Sequence, residues 1–274
     1  GIRDPLWCRG LGDVYKRQVV QMGGALLRRP VGAQGALYAG LMAGYGDARI
    51  DSTSTLMRRD TNTAVRAKAH GKVSGYSAGV YGTFYADDVN RLGAYVDTWL
   101  QYGRYTNRLS SELGSADYDS NLWSASLESG YALAPFAADS PFRAWVVEPR
   151  GQLIYSRYTA RAADLQDTRL RNGTADAWRS SIGVRLYQQP GQAADESVLR
   201  PFVETNWLHS EAVPSVRMGS NSFDARPSRD ALELKVGAQL RVARDVELSS
   251  HLFGHSGSAS EYGYGGQLSL SYSW

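Results

Sequence analysis

Residues Glu261 to Trp274 read EYGYGGQLSLSYSW. Side chains alternate across a β-strand, so residues two apart share a face. One face then carries Tyr262, Tyr264, Leu268, Leu270, Tyr272 and Trp274. The other carries Glu261, Gly263, Gly265, Gln267, Ser269, Ser271 and Ser273. This is an amphipathic strand whose apolar face is aromatic at both ends and aliphatic in the middle. That order suits a strand crossing a lipid core between two aromatic girdles.

The same alternation recurs upstream. Leu232, Leu234, Val236, Ala238, Leu240 and Val242 oppose Glu233, Lys235, Gly237, Gln239 and Arg241. Val203, Thr205 and Trp207 oppose Phe202, Glu204 and Asn206, and Trp178, Ile182, Val184 and Leu186 oppose Arg179, Ser181, Gly183 and Arg185. Ala94, Val96, Leu100 and Tyr102 oppose Tyr95, Asp97, Trp99 and Gln101. Further strands are expected near Val19 to Arg28, 36–46, 75–86, Leu122 to Leu133, 147–155 and Val246 to Leu252, which makes about eleven in all. The polar stretch Asp47 to Lys72 reads as a long loop, or as a loop with frayed strand ends, and Ala160 to Ala175 as another loop, whereas Asp87 to Asn90 and 243–245 read as turns. Residues 1–18 show no sustained period and hold the lone Cys8, so they read as a non-native or disordered lead-in, with 19–274 as one β-domain; Val14 to Gln18 can also continue the first strand.

Composition narrows the function classes. The net charge is +3 and the charges are interspersed, which gives no footprint for nucleic acid. One cysteine permits no internal disulfide and makes a structural zinc site unexpected. His70, His209, His251 and His255 form no metal-ligand spacing, and neither GxSxG nor a nucleotide-binding glycine loop occurs. No cofactor is expected. The most apolar run, Ala36 to Tyr45, is too short for a membrane helix, so a membrane-embedded form would have to be a closed β-barrel.

Alternation alone does not separate a soluble barrel from a membrane one, because the apolar face can turn either way. The strands are long enough to cross a bilayer at a tilt, for which roughly 9 to 11 residues are needed. Their polar faces carry Asp, Glu, Arg and Lys at mid-strand with glycines between them, which suits a crowded polar lumen.

The motifs GLMAGYG (40–46), SGYSAGVYGTFYADD (74–88), LGAYVDTWLQYGRYTN (92–107), WSASLESGYAL (123–133), VEPRGQLIY (147–155), RPFVETNWLH (200–209) and LSLSYSW (268–274) occur in unbroken order. Together they resemble the C-terminal translocator domain of pertactin-like autotransporters, the type V secretion family. The resemblance implies an all-β transmembrane antiparallel barrel of about twelve strands with a helix threaded through its lumen. The helix and the family's first strand find no counterpart in this chain. It further implies a barrel in the outer membrane of a Gram-negative bacterium that exports or anchors an N-terminal passenger. Its expected partners are outer-membrane lipids, a passenger in cis and the barrel-assembly machinery, with the domain itself monomeric. A general porin or ligand-binding barrel without passenger is the alternative.

Candidate site residues follow. Leu270, Tyr272 and Trp274 resemble the family's assembly signal, and would equally suit any last barrel strand. Asp97, Glu128, Glu148, Arg150, Arg179, Arg185, Glu204, Glu233, Lys235 and Arg241 are the expected pore-lining charges, or else a structural ion-pair network in the wall. Trp123, Tyr131, Tyr155, Trp178, Trp207 and Tyr262 are expected at the membrane interfaces. No enzyme is expected. The one catalytic alternative, self-cleavage of a passenger linker as in some family members, would draw on Glu128, Glu148 or Glu204.

Overall fold

The computed structural model describes residues 14–58, 63–111, 114–137, 139–161, 163–165, 168–170, 173–189, 199–211, 215–218, 221–224, 229–243, 246–257 and 262–272. The strands are β1 (Val14–Val31), β2 (Gly35–Arg58), β3 (Thr63–Tyr85), β4 (Gly93–Ser111), β5 (Gly114–Ala132), β6 (Trp145–Ala160), β7 (Ala163–Leu165) and β8 (Thr168–Leu170). There follow β9 (Gly173–Gln188), β10 (Leu199–Ser210), β11 (Ser215–Met218), β12 (Asn221–Asp224), β13 (Asp230–Ala243), β14 (Val246–Gly257) and β15 (Tyr262–Tyr272). Eleven of them form one sheet in the order β1-β2-β3-β4-β5-β6-β9-β10-β13-β14-β15, and β7-β8 and β11-β12 are separate two-stranded ribbons. Neighbours in the sheet are antiparallel throughout.

Several strands run further than hydropathy suggests. The polar stretch Asp47 to Lys72 is mostly paired: β2 and β3 stay in register out to Arg58 opposite Thr63. Ala160 to Ala175 contains the β7-β8 ribbon rather than a plain loop. Outside lipid both faces of a ladder can be polar, so alternation fades while backbone hydrogen bonding continues. Val14 to Gln18 belong to β1, opposite Asp47 to Asp51, while residues 1–13 lie outside the described residues. β14 likewise continues to Gly257, past Leu252 where the expected strand ends.

The two faces of the sheet are opposite in character. On β13, Leu232 and Leu234 are 60% and 51% exposed, whereas Glu233 and Lys235 between them are 1% and 9% exposed. On β10, Val203 and Trp207 are exposed and Glu204 and Asn206 are buried. Among the described residues no second layer packs on this sheet, so the buried charges are covered by the sheet curling around them. A water-soluble barrel would place its leucines inside. Fully burying one such side chain is worth about 1.5–3 kcal/mol, and a fold that leaves rows of them on the outer face needs an apolar solvent there. No helix among the described residues is long and apolar enough to cross a membrane.

Aromatic pairs stack across strands on the outer face. Tyr45 and Tyr76 have ring centroids 5.0 Å apart, Tyr102 and Trp123 4.8 Å, and Tyr155 and Trp178 4.8 Å. All six lie nine or ten residues along their strands from the short-turn end, while one end of the sheet carries the ribbons and the longest strand extensions. The other end carries the turn 32–34, the turn 86–92 and the loop 134–144. Outer-membrane barrels have short turns on the periplasmic side and longer loops outside, so the resemblance noted above would put the end with 32–34, 86–92 and 134–144 on the periplasmic side.

At the short-turn end the chain is tied by charge. Asp87 Oδ1 accepts the backbone N–H groups of Val89 (3.0 Å) and Asn90 (2.9 Å), which closes the turn, and Arg91 follows with φ of +56°. Asp88 accepts from Arg28 Nη2 of β1 (2.6 Å) and Tyr38 Oη of β2 (2.8 Å). One carboxylate in the β3-β4 turn thereby holds the end of the edge strand β1.

Candidate functional site

Register places the inner-face charges in rows. Glu148 on β6 lies opposite Arg185 on β9, Arg185 opposite Glu204 on β10, and Glu204 opposite Lys235 on β13. Charge thus alternates in sign across four neighbouring strands, the arrangement that makes cross-strand pairs attractive. The adjacent row runs Arg150, Gly183, Asn206, Glu233 and His255. A Cβ at Gly183 would collide with the Asn206 side chain, so only glycine lets that amide sit there.

Contacts link the two rows. Arg150 pairs with Glu204, and its Nη1 lies 3.7 Å from Glu128 Oε1. Lys235 Nζ lies 3.2 Å from Glu204 and 3.4 Å from Glu233. Asn206 Nδ2 donates to Glu204 Oε1 (2.7 Å) and Glu233 Oε1 (3.2 Å). Tyr95 Oη on β4 donates to Glu128 at 2.8 Å and contacts Glu148 at 3.3 Å. Gly130 makes room for the Tyr95 ring: a Cβ there would lie 2.5 Å from it. The Arg185 guanidinium stacks over Phe202 at 4.3 Å. Isolated ions cost several kcal/mol each to bury, and only mutual pairing with further hydrogen bonds offsets this. The network supplies both.

All ten inner charges expected from sequence fall on the buried or half-buried side of their strands; Arg179, which donates to Ser210 Oγ at 3.2 Å, lies away from the two rows, and Asp97, opposite Glu128, accepts a hydrogen bond from Thr83 at 2.5 Å. Arg241 sits half-buried nearer the short-turn end, opposite Glu247. Alternation missed the hubs Tyr95 and Asn206 and the Arg200–Glu247 pair, although it placed Tyr95 and Asn206 on the correct face. It also gave no sign that Met42, Trp99 and Ile154 cluster on the inner face with Tyr81 against them. The lumen is charged on one wall and apolar on another.

Trp123, Tyr131, Trp178, Trp207 and Tyr262 are exposed on the outer face and Tyr155 is half-exposed against Trp178. Leu270 is exposed on β15, and Tyr272 ends that strand opposite Val246; Trp274 lies outside the described residues. No cluster of His, Cys, Asp or Glu among the described residues is arranged to hold a metal ion.

The autotransporter β-domain model matches residues 12–251. The chain belongs to this family. It is 30% identical over 272 residues to the uncharacterized protein YdeU of Escherichia coli (strain K12), covering 96% of this chain and 57% of that protein. It is 25% identical over 275 residues to the autotransporter adhesin AIDA-I of Escherichia coli, covering 96% of this chain and 20% of the adhesin. The chain therefore spans little more than half of one relative and about a fifth of the other. In fold it is similar to the crystal structure of the transport unit of AIDA-I, with a TM-score of 0.81 at 23% identity over 95% of this chain and 83% of that one. It is also similar to the β-domain of the Bordetella autotransporter BrkA, with a TM-score of 0.68 at 20% identity over 96% and 94% of the two chains. An autotransporter β-domain is the translocator of a Gram-negative outer membrane, and this chain shares its all-β architecture.

Proposed function

We propose that the inner face of this sheet is the channel through which a passenger passes and in which its linker comes to rest. The observation that carries the reading is the inversion of the faces: leucines outside, and Glu148, Arg185, Glu204 and Lys235 in one alternating row inside. Self-paired charges keep a lumen hydrated without holding an unpaired ion that would trap a passing chain. The expected pore-lining residues belong to this reading, as do the outer aromatics as interfacial anchors in outer-membrane lipid.

The strand order supports one way of completing the sheet. β1 and β15 are its two edges, and eleven antiparallel strands make both edges run in the same direction. One further strand laid between them would be antiparallel to both and would give the even count usual in bacterial barrels. Unpaired edges in lipid cost several kcal/mol per backbone group, so closure by such a strand is strongly favoured. In this reading a further strand closes the barrel between β1 and β15, and Leu270, Tyr272 and Trp274 form the signal for the assembly machinery. The domain works as a monomer.

The test is a chimera in which a reporter passenger, its helical linker and one added closing strand are joined, in that order, ahead of β1. Surface exposure of the reporter, measured by protease shaving of intact cells, supports the reading. A reporter retained in the periplasm while the barrel is folded contradicts it.

A further inference from the structure

The loop 134–144 between β5 and β6 is built unlike the turns beside it. The turn 86–92 is closed by carboxylates, whereas 134–144 carries Pro135-Phe136 and Pro141-Phe142. The two phenylalanine rings meet with centroids 5.9 Å apart, yet Phe136 and Phe142 remain 41% and 56% exposed. Paired aromatic rings left open to water forgo burial that each could supply. The loop is nevertheless ordered by its own bonds: Ser140 N donates to Ala137 O (3.0 Å), Arg143 N to Ser140 O (3.1 Å) and Trp145 N to Phe142 O (2.8 Å). It holds the rings out.

What lies next to it identifies the occupant. Tyr131 and Leu133, immediately before the loop, are exposed on the outer, lipid-facing side of β5. Trp145, immediately after it, shares the outward parity of Val147 and Leu153 on β6. The rings therefore continue the apolar outer face past the strand ends. The inner side of this rim is taken by another element. Asn90 O of the turn 86–92 accepts from Gln189 Nε2 at 2.6 Å, reaching from the β3-β4 turn past β5 and β6 to the end of β9. The short path between those points is the chord of the curled sheet. The backbone N–H of the same Gln189 donates to Ala144 O (2.7 Å) and fixes the far end of the loop to the rim.

We propose that residues 134–144 are a membrane anchor: Phe136 and Phe142 insert into the phospholipid headgroup region of the leaflet on the short-turn side. They complete on that side the aromatic girdle that Tyr45, Tyr76, Tyr102, Trp123, Tyr155 and Trp178 form on the other. The function is to set the depth and tilt of the β5-β6 wall, which carries Glu128, Glu148 and Arg150. Phenylalanine rings gain by leaving water for the boundary between headgroups and acyl chains, where interfacial segments bury Phe, Trp and Leu. This inference rests on the membrane orientation proposed above, and its experiment includes a control for that orientation.

The test places an environment-sensitive fluorophore on Ala137→Cys in a Cys8→Ser background, in the full-length protein in isolated outer membranes. A phospholipid carrying a nitroxide near its acyl carbonyl is exchanged into the membranes. The same label on Val236→Cys reports whether the outer face contacts lipid at all. With Val236 quenched, blue-shifted emission at Ala137 with nitroxide quenching is the expected result. Replacing both rings (Phe136→Ser with Phe142→Ser), or Phe142→Ser alone, should reduce that quenching at least about twofold. Water-like emission quenched by iodide, or blue-shifted emission that the nitroxide does not touch, would overturn the anchor; the latter means that protein covers the rings. An unquenched Val236 would overturn the orientation, and the anchor with it.

Discussion

Lys235 and Glu204 face each other directly across β13 and β10, with Nζ 3.2 Å from Oε1. Lys235 also neutralises Glu233, which is 1% exposed. Removing the cation leaves buried carboxylates short of a partner, a change that costs about 3–5 kcal/mol. Lys235→Met should lower stability by about that amount in urea unfolding from lipid vesicles, and Lys235→Arg should recover most of it. A Lys235→Met protein as stable as the parent would show that the inner network is not what holds this wall.

The opposite face makes the opposite demand. Val236, next along β13, is half-exposed near the middle of the outward run from Leu232 to Val242. Val236→Arg should destabilise the inserted domain by about 2–4 kcal/mol, the cost of an arginine near the bilayer midplane. The same substitution at Gln239, which faces inward, should be much milder. Equal penalties at the two positions would mean that the faces are not in different solvents.

Acid should loosen the short-turn rim. Burial pushes the Asp88 carboxyl up, but hydrogen bonds from Arg28 and Tyr38 and the charges of Arg91 and Arg28 outweigh it and hold the group below its ordinary range. The Asn90 backbone N–H, followed by its side-chain amide, lowers Asp87 as well. A carboxyl with a lowered folded pKa contributes stability that is complete above its unfolded value, about 3.9. The contribution is lost as pH falls through the folded value. The stability difference between the parent and Asp88→Asn should therefore be constant from neutral pH down to about 5 and shrink below about 4. Stability curves that stay parallel through that range would contradict the linkage.

The edges give a gel-based prediction. With β1 and β15 unpaired to each other among the described residues, residues 14–274 alone should fail to give a compact, heat-modifiable band on a cold gel. Restoring one upstream strand should produce that band. A compact band from residues 14–274 without it would mean that the seam closes in parallel.

Much of this was legible in the sequence because period two is local. Each of Glu233, Lys235, Glu204 and Arg185 declares its face through its immediate neighbours, and the structure places all four inward. Partnership is not local. That Glu204 meets both Arg150 and Lys235 depends on the register of β6, β9, β10 and β13, which hydropathy does not encode. The reach of β2 and β3 through Asp47 to Lys72 was hidden for another reason: beyond the lipid, alternation is no longer required. The inner cluster of Met42, Trp99 and Ile154 was masked by the rule that a lumen is polar, which holds for one wall and fails on another.

The central claim is that the leucine face meets lipid and the charged face does not. Single cysteines at Val236, Ala238 and Leu240, and at Gln239 and Arg241, in a Cys8→Ser background would each carry a fluorophore in membranes containing nitroxide-labelled lipid. The account predicts strong quenching at 236, 238 and 240 and weak quenching at 239 and 241, alternating residue by residue along β13. Quenching that is uniform along the strand, or that peaks at 239 and 241, would contradict it.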